Sequence, residues 1–101
     1  MITSKELRSI DRSYFDVIEA TPFYIVLRSK NTGHYWYLLE QEYRCFRSFK
    51  VSHKHHKADI YHPQTCRGSI EDCCLYIREH DTYHLKRVSG KQLRRMERPR
   101  Y

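Results

Sequence analysis

The stretch FYIVLRSKNTGHYWYLLE, Phe23 to Glu40, constrains the fold more than any other part of the chain. Two runs of β-branched and aromatic residues flank SKNTG, whose Gly33 can take the positive φ that a short loop needs, so the segment predicts a β-hairpin. Alternate side chains of an extended chain face opposite ways. Phe23, Ile25 and Leu27 therefore oppose Tyr24 and Val26, while Trp36 and Leu38 oppose Tyr35, Tyr37 and Leu39. Both faces are apolar or aromatic, which suits strands central in a sheet or strands keeping one face for a partner. Trp36 and Leu38 are expected in the core. Tyr35 and Tyr37 point the other way and are candidates for contact, as tyrosine is enriched at interfaces. His34 reads as an exposed turn residue.

The flanking segments extend this pattern. Thr3 and Glu6 form a capping-box pair ahead of Leu7 and Ile10, predicting a short helix from about Ser4 to Asp11. Phe15, Val17 and Glu19 alternate with Tyr14, Asp16, Ile18 and Ala20 as a strand with one mostly apolar face, which Pro22 ends. Arg44 to about Lys54 reads as a fourth strand, with Cys45, Arg47, Phe49, Val51 and His53 on one face. A loop carrying Asp59, His62 and Pro63 follows. In SIEDCCLYIREHD, Ser69 is a good N-cap and Ile70, Cys73, Cys74 and Ile77 fall at helical spacing. Cys74 is expected in the core, with Cys73 left open between core and ligand. The helix is expected to stop near Asp81, which would keep His80 and His84 from pairing. TYHLKRV suits either a last strand or a helical continuation, and SGKQLRRMERPRY reads as a flexible arm. The expected fold is α+β: a short N-terminal helix, an antiparallel four-stranded sheet packed by a C-terminal helix, and a basic C-terminal tail. Residues 1–88 would form the single domain and residues 89–101 the tail.

A chain of 101 residues, 40% apolar and 14% aromatic, is globular in composition and has room for one core. Its net charge of +7 is unevenly placed. Lys86 to Tyr101 holds seven of the 19 Lys and Arg and one of the 12 acids, leaving twelve bases against eleven acids before it. The body is nearly neutral and the end is basic. With no signal-like segment and no run long enough to span a bilayer, the chain is expected to be cytoplasmic and to contact no membrane. In a reducing compartment its four cysteines would be free thiols or metal ligands.

VSHKHHKADIYHPQTC, Val51 to Cys66, concentrates four of the seven histidines. His53 and His55 project to one side of a strand, and His62 and Cys66 on the following loop could swing back to complete a four-ligand set. Cys73 could substitute for one of them. Such a set would hold one structural zinc ion, although the spacing matches no standard finger. The bland reading is a solvated edge strand, where mixed Lys and His discourage edge pairing.

The same region also reads as a polyanion surface. Arg44, Arg47, Lys50, Lys54 and Lys57 lie in a stretch free of acids with Phe46 and Phe49 interleaved, and cations beside rings suit single-stranded nucleic acid. Arg94 and Arg95 would add an unspecific electrostatic contribution. A metal-independent ribonuclease would need His55, His62, Arg47 and Tyr61 to converge. No paired carboxylates, phosphate-cradling Gly-rich loop or nucleophile elbow supports catalysis, so a non-enzymatic role is expected.

The pieces NTGHYW, SHKHH, YHPQ and SIEDCCLYI, in that order, resemble short proteins of bacterial mobile elements and phages, over roughly Tyr14 to Leu85. That class includes anti-CRISPR proteins. The resemblance implies a compact, non-enzymatic inhibitor that docks on an RNA-guided nuclease such as Cas9, or on its guide-RNA complex, and obstructs nucleic-acid loading. Many such inhibitors are acidic DNA mimics, and a basic chain departs from that pattern. A stand-alone DNA- or RNA-binding regulator is the alternative.

Overall fold

The computed structural model describes the backbone of residues 1–97, and the side chains of these residues except Tyr43 and 90–97. The chain runs α1 (Ser4–Arg8), β1 (Phe15–Ala20), β2 (Tyr24–Ser29), β3 (Tyr35–Tyr43), β4 (Phe46–Lys54), β5 (His62–Arg67) and α2 (Ile70–Glu97). The strands form one antiparallel meander in sequence order, β1-β2-β3-β4-β5. The α+β class and the packing of the sheet by the C-terminal helix are as expected, but the sheet has five strands instead of four. The extra strand, HPQTCR, lacks apolar alternation and contains Pro63, which a sheet tolerates at its edge. It pairs with β4 across a register shift between Val51 and Ser52.

The predicted hairpin is β2–β3, paired Arg28↔Tyr35 to Tyr24↔Leu39. Gly33 sits in its loop at φ 75, and its N–H donates to the Ser29 carbonyl at 2.8 Å. The next turn was not expected where it lies. Arg44 and Cys45, assigned from sequence to the fourth strand, take φ values of 50 and 68 and make the two-residue connection between β3 and β4. Positive φ at both positions matches the twist of a tight hairpin.

One sheet face and α2 form the core. Phe15, Ile25, Leu27, Trp36, Leu38, Phe49 and Val51 meet Ile70, Cys73 and Ile77 of the helix, with Ile10 closing one end. Ser69 caps α2 by accepting from the Asp72 N–H at 3.0 Å. Cys73, left open from sequence, is fully buried in the core, while Cys74, expected in the core, is half-buried and packs against it. Burial pushes the Cys73 thiol up to about 12, in keeping with an apolar filler.

α2 does not stop at Asp81. Its buried stripe continues from Ile77 to Asp81, and Asp81 is fully buried. There it accepts hydrogen bonds from the Tyr14 hydroxyl at 2.7 Å and the Thr32 hydroxyl at 3.3 Å. A polar residue thus occupies a core-facing position, and the helix extends through residues that looked like its end. Helical backbone also covers residues 89–97, expected as part of the basic arm; residues 98–101 lie outside the described residues. Among the described residues, no helix is long and apolar enough to cross a membrane.

Candidate metal centre

The end of the sheet near the β2–β3 loop gathers five imidazoles. His34 precedes β3, His53 and His55 belong to β4 and the residue after it, and His80 and His84 project one turn apart from α2. The register explains the meeting: Trp36 pairs with His53, placing both on the helix-facing side. His34, two residues before Trp36, shares that side.

His34 Nδ1 and His53 Nε2 are 3.0 Å apart. His55 stacks on His34 with ring centroids 4.1 Å apart, and His84 meets His34 edge-on at 4.6 Å. His80 lies 4.9 Å from His53 and 5.1 Å from Trp36. The ligand nitrogens of His34, His53 and His55 all fall within 4.8 Å of one another, so these three could hold a metal ion. Two imidazole nitrogens at about 2.0–2.1 Å from a tetrahedral zinc would be roughly 3.3 Å apart, close to the His34–His53 separation.

His34 and His53 are each 6% exposed. Burial first, and then the neighbouring imidazoles, holds His34 down to about 4 and His53 down to about 3. Burial also lowers His80, against the opposing pull of Asp81. Neutral imidazole is the form that binds a metal. His80 Nδ1 is buried without a hydrogen-bond partner, an unmet polar atom at the edge of the cluster. His55 is exposed and lines two clefts of about 700 and 430 Å³, which give an ion a route from solvent.

The other residues singled out from sequence are dispersed. His62 pairs in register with His53 and lines the larger cleft, but it does not belong to the group of mutually close ligand atoms. Cys66 is exposed on β5 opposite Lys50. His34, expected in an exposed turn, is buried and is the third member of the group that could hold an ion. The GHYW segment held the clue, because His34 and Trp36 share an alternation phase. His80 and His84 were visible only as an i, i+4 pair on a helix expected to have ended.

Arg47 is committed elsewhere. Its guanidinium donates to Glu6 at 2.7 and 3.0 Å and to Glu40 at 3.0 Å, while Glu40 also takes the N-terminal ammonium at 2.8 Å. The Arg47 bond holds the Glu6 carboxyl down to about 2. Tyr61 lies against Tyr37 at 5.5 Å, and Arg47 is eight residues along the chain from His55, so His55, His62, Arg47 and Tyr61 do not converge. Tyr35, Tyr37, Lys50 and Lys54 fall on the sheet face away from α2. Arg44 is in the β3–β4 turn, and Lys57 lies in the exposed loop before β5. The side chains of Arg94 and Arg95 lie outside the described residues. Comparisons with protein-family models, curated proteins and solved structures gave no match to this chain.

Proposed function

We propose that this chain is a non-enzymatic binding module in which one zinc ion, held by His34, His53 and His55 with His84 as fourth ligand, clips α2 to the sheet. The approach of three imidazole nitrogens to within 4.8 Å carries the reading. Zinc suits an all-imidazole set and accepts tetrahedral geometry. His84, 4.6 Å from His34 and 5.6 Å from His55 by ring centroids, lies outside the group of mutually close ligand atoms and would reach the remaining position from the helix by turning its side chain. A set closed by four protein ligands serves structure, whereas catalysis needs an open position. The ion would lie where α2 gives up apolar burial: after Asp81, His84 is the only described side chain of the helix that is even half-buried. Docking on an RNA-guided nuclease rests on the sequence resemblance alone.

Elemental analysis of untagged protein purified without chelator tests the centre. About one equivalent of zinc, lost in His55→Ala and lowered in His84→Ala, is expected; less than about half an equivalent in the parent protein rejects it. His55 is exposed, so its replacement tests the ion without opening the core.

A further inference from the structure

We infer that the sheet face turned away from α2 binds single-stranded nucleic acid, with its tyrosines stacking on bases and its lysines and arginine meeting phosphates. This face is built in rows by the register. Arg28, Tyr35 and Lys54 lie side by side across β2, β3 and β4. Leu39 lies between Tyr24 and Lys50 in a second row, and Val26, Tyr37 and Ser52 form the row between.

The rings connect across the rows. Tyr24 and Tyr37 are 5.2 Å apart by centroid, and Tyr37 and Tyr61 5.5 Å. Cations are threaded through them: Lys54 Nζ is 4.4 Å from the Tyr61 ring and 5.4 Å from Tyr35, and the Arg28 guanidinium is 5.5 Å from Tyr35. None of Arg28, Lys50 and Lys54 pairs with a carboxylate among the described residues. Two acids share this side near β1: Asp16, opposite Arg28 in register and 3.8 Å from Lys30, and Glu19, which accepts from the Tyr24 hydroxyl at 2.6 Å and keeps its charge. The β4 side of the face therefore offers the positive charge of Lys50 and Lys54 beside half-buried aromatic rings, with the acids gathered at the β1 side.

That combination selects its occupant. Lys54 donates to the Lys57 carbonyl at 2.8 Å and Arg28 to the Gly33 carbonyl at 3.2 Å, so neither is held by a carboxylate, and a phosphate backbone supplies an anion at every nucleotide. Duplex bases hide their faces against each other; unpaired bases present them to rings. Single-stranded RNA and DNA share this chemistry. The inference does not depend on the zinc centre, which lies on the opposite side of the sheet.

Fluorescence anisotropy with labelled oligo(U), oligo(dT) and a DNA duplex tests it. Binding to single strands in preference to duplex is expected, and the two oligonucleotides distinguish RNA from DNA. Lys50→Gln and Lys54→Gln should each lower the slope of log affinity against log salt by about 0.7. Tyr37→Ala should weaken binding by about tenfold, while Tyr37→Phe, which keeps the ring and the packing, should bind like the parent. If Tyr37→Ala fails to fold, the salt slopes of the lysine variants decide alone. Equal affinity for duplex overturns the inference. So does binding indifferent to Lys50→Gln, Lys54→Gln and Tyr37→Ala, which would place it on the basic C-terminal segment. Inhibition of Cas9 with no affinity for free oligonucleotide also overturns it, and assigns the face to a protein.

Discussion

The Tyr14 hydroxyl donates to Asp81 Oδ2 at 2.7 Å, joining residues 67 positions apart in the chain. This bond and the one from Thr32 satisfy a fully buried carboxylate and fasten the middle of α2 to the start of β1 and to the β2–β3 loop. Tyr14→Phe keeps the ring and removes the donor. It should cost about 1–3 kcal/mol in urea unfolding, since a hydrogen bond to a buried charged group is lost. Thr32→Val, at the longer 3.3 Å contact, should cost less. An unchanged midpoint in Tyr14→Phe would show that the carboxylate finds another donor.

The histidine cluster makes the metal-free protein acid-sensitive. His34 and His53 fall from 6.5 to about 4 and about 3 in the folded state, so below about pH 6.5 the unfolded chain takes up protons that the native state refuses. Their contribution to stability is fully present above pH 6.5 and declines with acid until the folded histidines protonate near 4 and 3. Melting temperatures of chelator-treated protein should already fall between about pH 6.5 and 5, above the range of ordinary carboxylates. A flat profile there contradicts the burial of these rings.

Zinc should raise the melting temperature and steepen its fall with acid, because the bound ion keeps its imidazole ligands neutral in the native state. An ion that binds only the native state at a free concentration a hundred times its dissociation constant adds about 2.7 kcal/mol. Differential scanning fluorimetry with zinc and with EDTA should therefore separate two melting curves for the parent protein and a single one for His55→Ala. Coincident curves for the parent protein count against the clip.

Gly33→Ala should destabilise the hairpin. At φ 75 an L residue carries a steric penalty of about 1–2 kcal/mol, and the added Cβ would approach Arg28 Nη2 at 3.3 Å. The end of a flexible side chain can withdraw, so the backbone supplies most of the cost. Urea midpoints of Gly33→Ala against the parent measure it.

Arg47→Met should separate stability from ligand binding. Removing the guanidinium leaves Glu40, only 7% exposed, without one of its two cationic partners, and frees Glu6 from the interaction that lowers it. Unfolding should become easier by about 1–3 kcal/mol, while affinity for oligo(U) stays unchanged. A loss of affinity at constant stability would return Arg47 to the contact surface.

The sequence made the hairpin legible because turn chemistry and alternation agreed there. It also made Ile70 to Ile77 legible as a helical stripe. β5 was hidden because an edge strand need not alternate, and Pro63 argues against a strand anywhere but the edge. The extension of α2 was hidden because its inward stripe turns polar at Asp81 and histidine-rich at His84, removing the apolar periodicity that marks a buried face. His53 and His55 were recognised through local spacing. Their partner His34 comes through strand pairing, which no short-range pattern encodes. Arg47 looked available because its neighbours in sequence are basic, while its anions come from α1 and β3.

Pro63 gives the last strand of the meander a further consequence. Its missing N–H interrupts the ladder of donors along the strand. A second molecule trying to zip itself onto this margin would meet a gap in the hydrogen-bond row, so the ring that costs the strand its recognisable pattern also discourages edge-to-edge assembly at the β5 side of the sheet.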